Sequence, residues 1–287
     1  MKLRHILLSA LLICSLSAAQ SYGHLGDTML MFQFPDHLVP ELDGDLSDWD
    51  IVPDYYWIRA ENMYNQFGAP VDLSDFNCRI AWGYNLSENR AYMAIWGYDD
   101  MWHGTEHFSV LVDWDHSAPQ YRAFGEGDDY EARWINARAQ KYDTAIPGVN
   151  PTYGHMQVSG KRWVAEPPWT EWGARFVMGA ADTFEPAEAE IEVAFVPFND
   201  VHPDGPEESI QHTFREGDIV GIEVNRGDKD EDPHSYDDAY WSCFGGINAW
   251  RDADQFGDYL LAPIEDGLPD APTAVQTNSW GHIKSSF

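Results

Sequence analysis

Phe108-Ser109-Val110-Leu111-Val112-Asp113-Trp114 puts Phe108, Val110, Val112 and Trp114 on one side of an extended chain. Two other segments repeat the two-residue period. Cys78, Ile80 and Trp82 share a face in one, and Tyr92, Ala94 and Trp96 share a face in the other. Their aromatic residues read as core rather than site. Around them lie further runs rich in aromatic and branched residues: Met29 to Phe34, Tyr55 to Arg59, Arg133 to Ala139, Arg175 to Met178, Ile191 to Val196, Ile219 to Val224, Ala239 to Phe244 and Tyr259 to Leu261. Gly, Pro, Asn and Asp punctuate the gaps, and no stretch carries a long helical stripe. Many short strands with turn chemistry between them predict an all-β, two-sheet antiparallel β-sandwich of the jelly-roll kind, its first and last strands close together. The Pro- and Trp-rich stretch from Tyr142 to Gly173 reads as a long loop insertion, either a second aromatic platform or a cap over the sandwich end.

The beginning of the chain has a different composition. Lys2, Arg4 and His5 precede an apolar run from Ile6 to Leu16 and then Ser17-Ala18-Ala19. This pattern predicts a secretory signal peptide over 1–19, cleaved near Ala19, and a secreted, periplasmic or extracellular product. The run is too short to span a bilayer, so membrane insertion is not expected. A lead-in strand over 20–40, a sandwich over 41–262 and a linker with a C-terminal tail over 263–287 complete the expected organisation. Export permits a bridge between Cys78 and Cys243, which requires Cα atoms about 5.5 Å apart.

Asp and Glu number 48 against 17 Lys and Arg, for a net charge of −31. Binding nucleic acid or anionic lipid depends on clustered cations, so both are excluded as partners. Uronate and sulfated polymers are repelled by the same field. Neutral sugars and divalent cations are the partners it tolerates. Two acidic groups bear on the second class. Asp43, Asp45 and Asp48 lie in a Gly-containing turn, while Asp228, Asp230 and Asp232 alternate with Lys229 and Glu231. Closely spaced hard oxygen ligands suit calcium, although the second group lacks the Gly and Glu of an EF-hand. A solvated acidic turn is the preferred reading of that second group.

Toward the C-terminus, Asn248, Trp250, Arg251 and Asp252 sit in a stretch with neither helical nor strand period, so they read as an exposed loop. A broad ring beside forked donors and a carboxylate suits a neutral polyol, whose C–H faces stack while its hydroxyls pair. Trp102, after Tyr98-Asp99-Asp100, reads as a second exposed ring.

The order Leu42-Asp43-Gly44-Asp45-Leu46-Ser47-Asp48-Trp49, then Ala91 to Asp100, then Phe108 to Asp113, resembles the family 9 carbohydrate-binding modules (CBM9). Ile191 to Phe198, Gly217 to Gly221, and Asn248-Ala249-Trp250-Arg251-Asp252 with Gln255-Phe256-Gly257 are similar to that family's closing strands and ligand loop. The resemblance implies a β-sandwich that clamps a neutral mono-, oligo- or polysaccharide between two Trp rings and often carries structural calcium. By position the rings fall on Trp102 and Trp250. The polar contacts fall on Arg133, Asn225 and Asn248, with Asp252 beside them. The chain departs from the family at Ser109, where the sugar-binding member has a Glu, and Glu106 or Asp252 is the available replacement. Three functional readings stay open at this point: a binding module that works alone or beside a partner glycoside hydrolase, a glycoside-active enzyme, and a haem-carrying sandwich of the related DOMON type that would use Met93, Met101 or His103 as iron ligands.

Overall fold

The computed structural model describes residues 25–103, 107–117, 137–145, 162–180, 185–230, 239–246, 248–249 and 252–270. Strands and short 3-10 turns make up its regular structure, and no α-helix occurs among the described residues. None of its helices is long and apolar enough to cross a membrane. The fourteen strands in chain order are β1 Met29–Gln33, β2 Ile58–Arg59, β3 Tyr64–Asn65, β4 Phe76–Asn85, β5 Arg90–Asp99, β6 His107–Asp113, β7 Gln140–Ala145, β8 Thr170–Met178, β9 Ala187–Phe195, β10 Phe198–Asp200, β11 Ile210–Gln211, β12 Ile219–Asp228, β13 Ala239–Ser242 and β14 Gly257–Leu261.

Two layers emerge from the pairing. In one sheet β7, β6, β12 and β14 run side by side, and β13 and β3 continue it beyond the far half of β12. In the other, β4, β5, β9 and β8 follow one another, and β2 lies on the outer edge of β4. β1 belongs to both. Its first half pairs with β14 and its second half with β4, parallel in each case, so the residues expected as a lead-in strand stitch the two sheets together. The first and last strands are neighbours, as the sequence predicts, but they run in the same direction.

The alternation of β4 to β6 sets the layers. Ile80, Trp82, Met93, Ile95, Val110, Val112 and Trp114 meet Ile191, Phe195, Ile222 and Val224 in the main core between the sheets. The opposite face of the second sheet is also buried. Ala81, Ala94 and Ala194 leave room there for an aromatic layer of Phe32, Phe34, Trp49, Tyr56 and Trp57. The turn at Asp43-Gly44 closes that layer. Gly44, at φ +80°, donates its N–H to Glu192 Oε2 at 2.9 Å, and Trp49 Nε1 donates to the other oxygen at 3.0 Å. A Cβ on the facing Gly173 would lie 2.2 Å from the Leu42 carbonyl, so the turn fits only against glycine.

Several expectations are corrected by the fold. Residues 137–139 are bends, and the strand in that region is β7, which begins at Gln140. The expected insertion from Tyr142 to Gly173 begins and ends in sheet. Tyr142 is buried in the core, β8 starts at Thr170, and Trp163 and Trp169 pack edge-on against Phe198. Cys78 and Cys243 are separate buried thiols, with Cys78 Sγ directed at Met63 Sδ at 3.3 Å. After Ala262 the chain touches the sandwich at Glu265, Leu268 and Pro269. Tyr55 and Tyr56 hydroxyls both donate to Glu265, and His37 reaches the Pro269 carbonyl at 2.8 Å.

Candidate functional site

β12 is the central strand of the first sheet, and its two faces differ in chemistry. Ile222 and Val224 point into the core, so Glu223 and Asn225 face the outer side. Register then sets a row across that outer face. Asn225 pairs with Ser109 on one side and Ser242 on the other, and Ser109 pairs in turn with Asp143. Ser109 Oγ donates to Asp143 Oδ1 at 2.5 Å, and Lys141 Nζ lies 3.0 Å from the same oxygen. Asn225 is buried, yet its side-chain oxygen has no hydrogen-bond partner among the described residues. An unsatisfied buried carbonyl is costly and asks for a donor.

Two residues away, Glu223 shows the contrasting case. Its carboxylate accepts from the N–H groups of Val224, Cys243 and Phe244 and from Ser242 Oγ. Burial pushes its pKa up to about 8 in spite of those four donors. With both oxygens occupied and no exposed surface, it holds the strand ends together and is not placed to act on a substrate.

A loop folds back over this face. Ala249, Ala253 and Phe256 pack on Leu111 and Ala139, so the loop that carries Asn248 and Asp252 lies on this side of the sheet. Asn248 donates its backbone N–H to Gln255 Oε1 at 2.8 Å. Asp252 caps the turn at 253–255, accepting from Asp254 N–H and from Gln255 Nε2, both at 3.2 Å. The structure therefore gathers Asn225, Asn248 and Asp252 on one side of the sheet, with Asp252 partly spent on the loop's own shape. Trp250, Arg133 and Asp232 lie outside the described residues.

Trp102 requires a correction. Its ring is 1% exposed and packs edge-on against Phe176 at 5.5 Å, so it is not an open platform. The cause lies on β12. Arg226 continues the inward-facing series of Ile222 and Val224, and its guanidinium enters the core, where it pairs with Asp99 at 2.9 Å. Phe76, Phe108 and Trp102 surround that cation at 5.7, 5.2 and 5.1 Å from their ring centres. Trp102 thus fills a core made by a buried charge. A strand that reads Ile-x-Val-x-Arg at the inward positions was the signal for such a cage.

The same end of the sandwich collects carboxylates. Ligand oxygens of Asp75, Asp100 and Asp230 all lie within 4.8 Å of one another, as do those of Asp99, Asp228 and Asp230. Burial, and then the neighbouring charges with Asp228 first, raise Asp230 to about 7 and Asp75 to about 6. Asp228 and Asp230 were candidates from sequence. Asp75, Asp99 and Asp100 join them because β4 begins and β5 and β12 end at one place. The donor set, all carboxylate oxygen, fits a hard divalent cation.

Asp43, Asp45 and Asp48 are engaged locally instead. Asp43 accepts from Asp45 N–H, Asp45 caps the turn at 46–51 and pairs with Arg175 at 2.7 Å, and Asp48 accepts from Glu41 N–H. Of the haem candidates, Met93 is set apart from the other two. Met93 lies in the core midway along β5, about 20 Å of strand from the loop that carries Met101 and His103, too far to share an iron.

A two-sheet β-sandwich with a polar row on one outer face defines the class. No protein-family model matches the sequence, and no curated protein sequence matches it. Among solved structures, a carbohydrate binding module family 9 from Caldicellulosiruptor kristjanssonii in complex with cellotriose has a TM-score of 0.52 at 13% identity, over 85% of this chain and 100% of that one. A family 9 module from the same organism in complex with glucose gives 0.51 at 12% identity, with the same coverage of both chains. The chain therefore has a CBM9-like fold.

Proposed function

We propose that this chain is an exported carbohydrate-binding domain that holds a neutral saccharide against the outer face of the first sheet. The observation that carries the reading is Asn225, whose buried side-chain oxygen lacks a donor in the middle of a polar row. A sugar hydroxyl supplies one. The loop that carries Asn248 and Asp252 packs on the same side of the sheet, and the likeness in fold to modules bound to cellotriose and glucose favours this ligand class over other hydroxylated molecules. Trp250, two residues from Asn248 on the loop, is the residue assigned to stack on the sugar ring, and Arg133 is assigned as a further donor. The loss of Trp102 as a facing ring makes this a one-sided platform rather than a two-ring clamp.

In this reading the acidic cluster of Asp75, Asp99, Asp100, Asp228 and Asp230 holds calcium, which neutralises carboxylates that would otherwise repel one another and ties three strand ends together. A module of this kind would work in polysaccharide catabolism, alone or beside a glycoside hydrolase.

A glycan array probed with the mature protein, in calcium and in chelator, tests the proposal. Neutral glycans are expected to be retained, uronates and sulfated glycans to be rejected, and Trp250→Ala to abolish retention while shifting stability by no more than about 0.5 kcal/mol. An array without any neutral-glycan signal would count against it.

A further inference from the structure

The structure carries a second polar cleft, of about 460 Å³, lined by Trp114, Asp115, Asn199, His212, Arg215 and Asp218 among others. It lies apart from the sheet face. Trp114 is five residues along the chain from Ser109, about 17 Å of extended backbone, and belongs to the inward-facing series.

Two groups in this cleft are incompletely satisfied. Trp114 is fully buried, and its indole N–H has no acceptor among the described residues. Trp82, Trp102 and Trp241 share that lack. Trp114 differs from them in lining the cleft. His212 Nε2 is likewise buried without a partner among the described residues.

The tautomer of His212 follows from its neighbour. Nδ1 lies 2.7 Å from Asn199 Oδ1, which only accepts, so Nδ1 carries the proton. Burial holds the ring below the ordinary histidine range, and Nε2 is then a bare acceptor. The ring is held in place. His212 donates its backbone N–H to the Pro197 carbonyl, its own carbonyl accepts from Asn89 Nδ2, and its imidazole packs edge-on against Phe214 at 5.3 Å.

The cleft thus offers one buried donor without an acceptor and one buried acceptor without a donor. Hydroxyls answer both needs, because each can accept from the indole or donate to the imidazole. Around the mouth, Asp115 and Asp218 accept and Arg215 and Gln211 donate, an alternation that suits adjacent hydroxyls. We infer that this cleft is a second binding site for a neutral saccharide, with Trp114 Nε1 and His212 Nε2 as its inner contacts and Arg215 with Asp218 at its rim. The inference does not depend on the sheet face being a binding site.

Nuclear magnetic resonance of the mature full chain, titrated with glucose and with cellotriose, tests it. The Trp114 indole N–H resonance, assigned through its neighbours Phe195 and Phe214, reports on the cleft, and the Asn225 side-chain amide reports on the sheet face. Saturable movement of the Trp114 signal is expected. His212→Phe keeps the ring and its packing but deletes the acceptor, and should displace the curve about tenfold, while His212→Gln restores an acceptor and recovers most of the loss. If the Asn225 signal moves and the Trp114 signal does not, the cleft holds water only and the inference falls while the sheet-face reading stands. Equal movement in wild type and His212→Phe also overturns it. Movement of Trp114 alone upholds it and removes the sheet face instead.

Discussion

The two faces of β12 carry polar residues for opposite reasons. On the inner face, Arg226 is buried with its two terminal nitrogens paired, one to Asp99 and one to the Gly227 carbonyl, and Phe76, Phe108 and Trp102 ring the cation. On the outer face, Asn225 is also buried, but its oxygen has no partner among the described residues. A buried polar group with its partners in place holds the fold together, whereas one without them costs stability. Glu223 sharpens the rule. It shares a face with Asn225, yet its four donors make it structural.

The inner face should give the largest effect when disturbed. Arg226→Met leaves Asp99 buried beside other carboxylates, and Trp102→Ala opens a cavity in the cage. Each is expected to cost about 3–5 kcal/mol in urea denaturation. A Trp102→Ala variant of unchanged stability would mean that the ring is not core.

Calcium comes next. At a hundredfold excess over Kd, an ion held only by the folded chain stabilises it by about 2.7 kcal/mol. The melting temperature should therefore rise in calcium relative to chelator, and Asp230→Asn should remove most of the rise. Identical melting curves in both conditions would exclude the acidic cluster as a site.

The pH dependence follows from the raised carboxyls. Burial puts Glu192 and Asp113 at about 7, Glu223 at about 8 and Asp230 at about 7. Each binds its proton more tightly in the folded chain than in the unfolded one. Its contribution is fully present below the unfolded value, near 4, and is lost as pH rises toward 7 to 8. In chelator, the melting temperature should fall between pH 5.5 and pH 8.5. Asp45 and Glu265, lowered by their hydrogen bonds, act in the opposite sense, but only as pH falls through the acid range. A flat profile would contradict the burial of the raised group.

The smallest expected effect is at the turn over the second sheet. Asp45→Ala removes a cap and an exposed ion pair with Arg175, and should lower the urea midpoint only slightly.

How far the sequence showed this depends on the range of the interaction involved. The two-residue period of Phe76 to Trp82, Ala91 to Tyr98 and Phe108 to Trp114 is local, so β4, β5 and β6 were legible. β7 was not, because Gln-Lys-Tyr-Asp-Thr-Ala sends Lys141 and Asp143 to the polar row and only Tyr142 deep into the main core. Trp102 was misread for a reason of distance. Its flanks are polar, and the cation it covers arrives from a strand more than a hundred residues later. The acidic cluster was half visible, since Asp228 and Asp230 are close in sequence while Asp75, Asp99 and Asp100 meet them only through the register of β4, β5 and β12. The parallel pairing of β1 had no local signature, because a short, mostly apolar run says nothing about direction.

The most direct test substitutes the residue next to Arg226. Asn225→Leu removes the unsatisfied oxygen while keeping the branching and the number of heavy atoms, and calorimetric titration with glucose and cellotriose, paired with a urea denaturation curve, reads both consequences. Binding by the sheet face should be lost, while stability stays level or rises, since no internal hydrogen bond to that oxygen is broken among the described residues. A variant that unfolds as readily as Arg226→Met while binding sugar as the wild type does would show that Asn225 belongs to the architecture and that the sheet face is not the saccharide site.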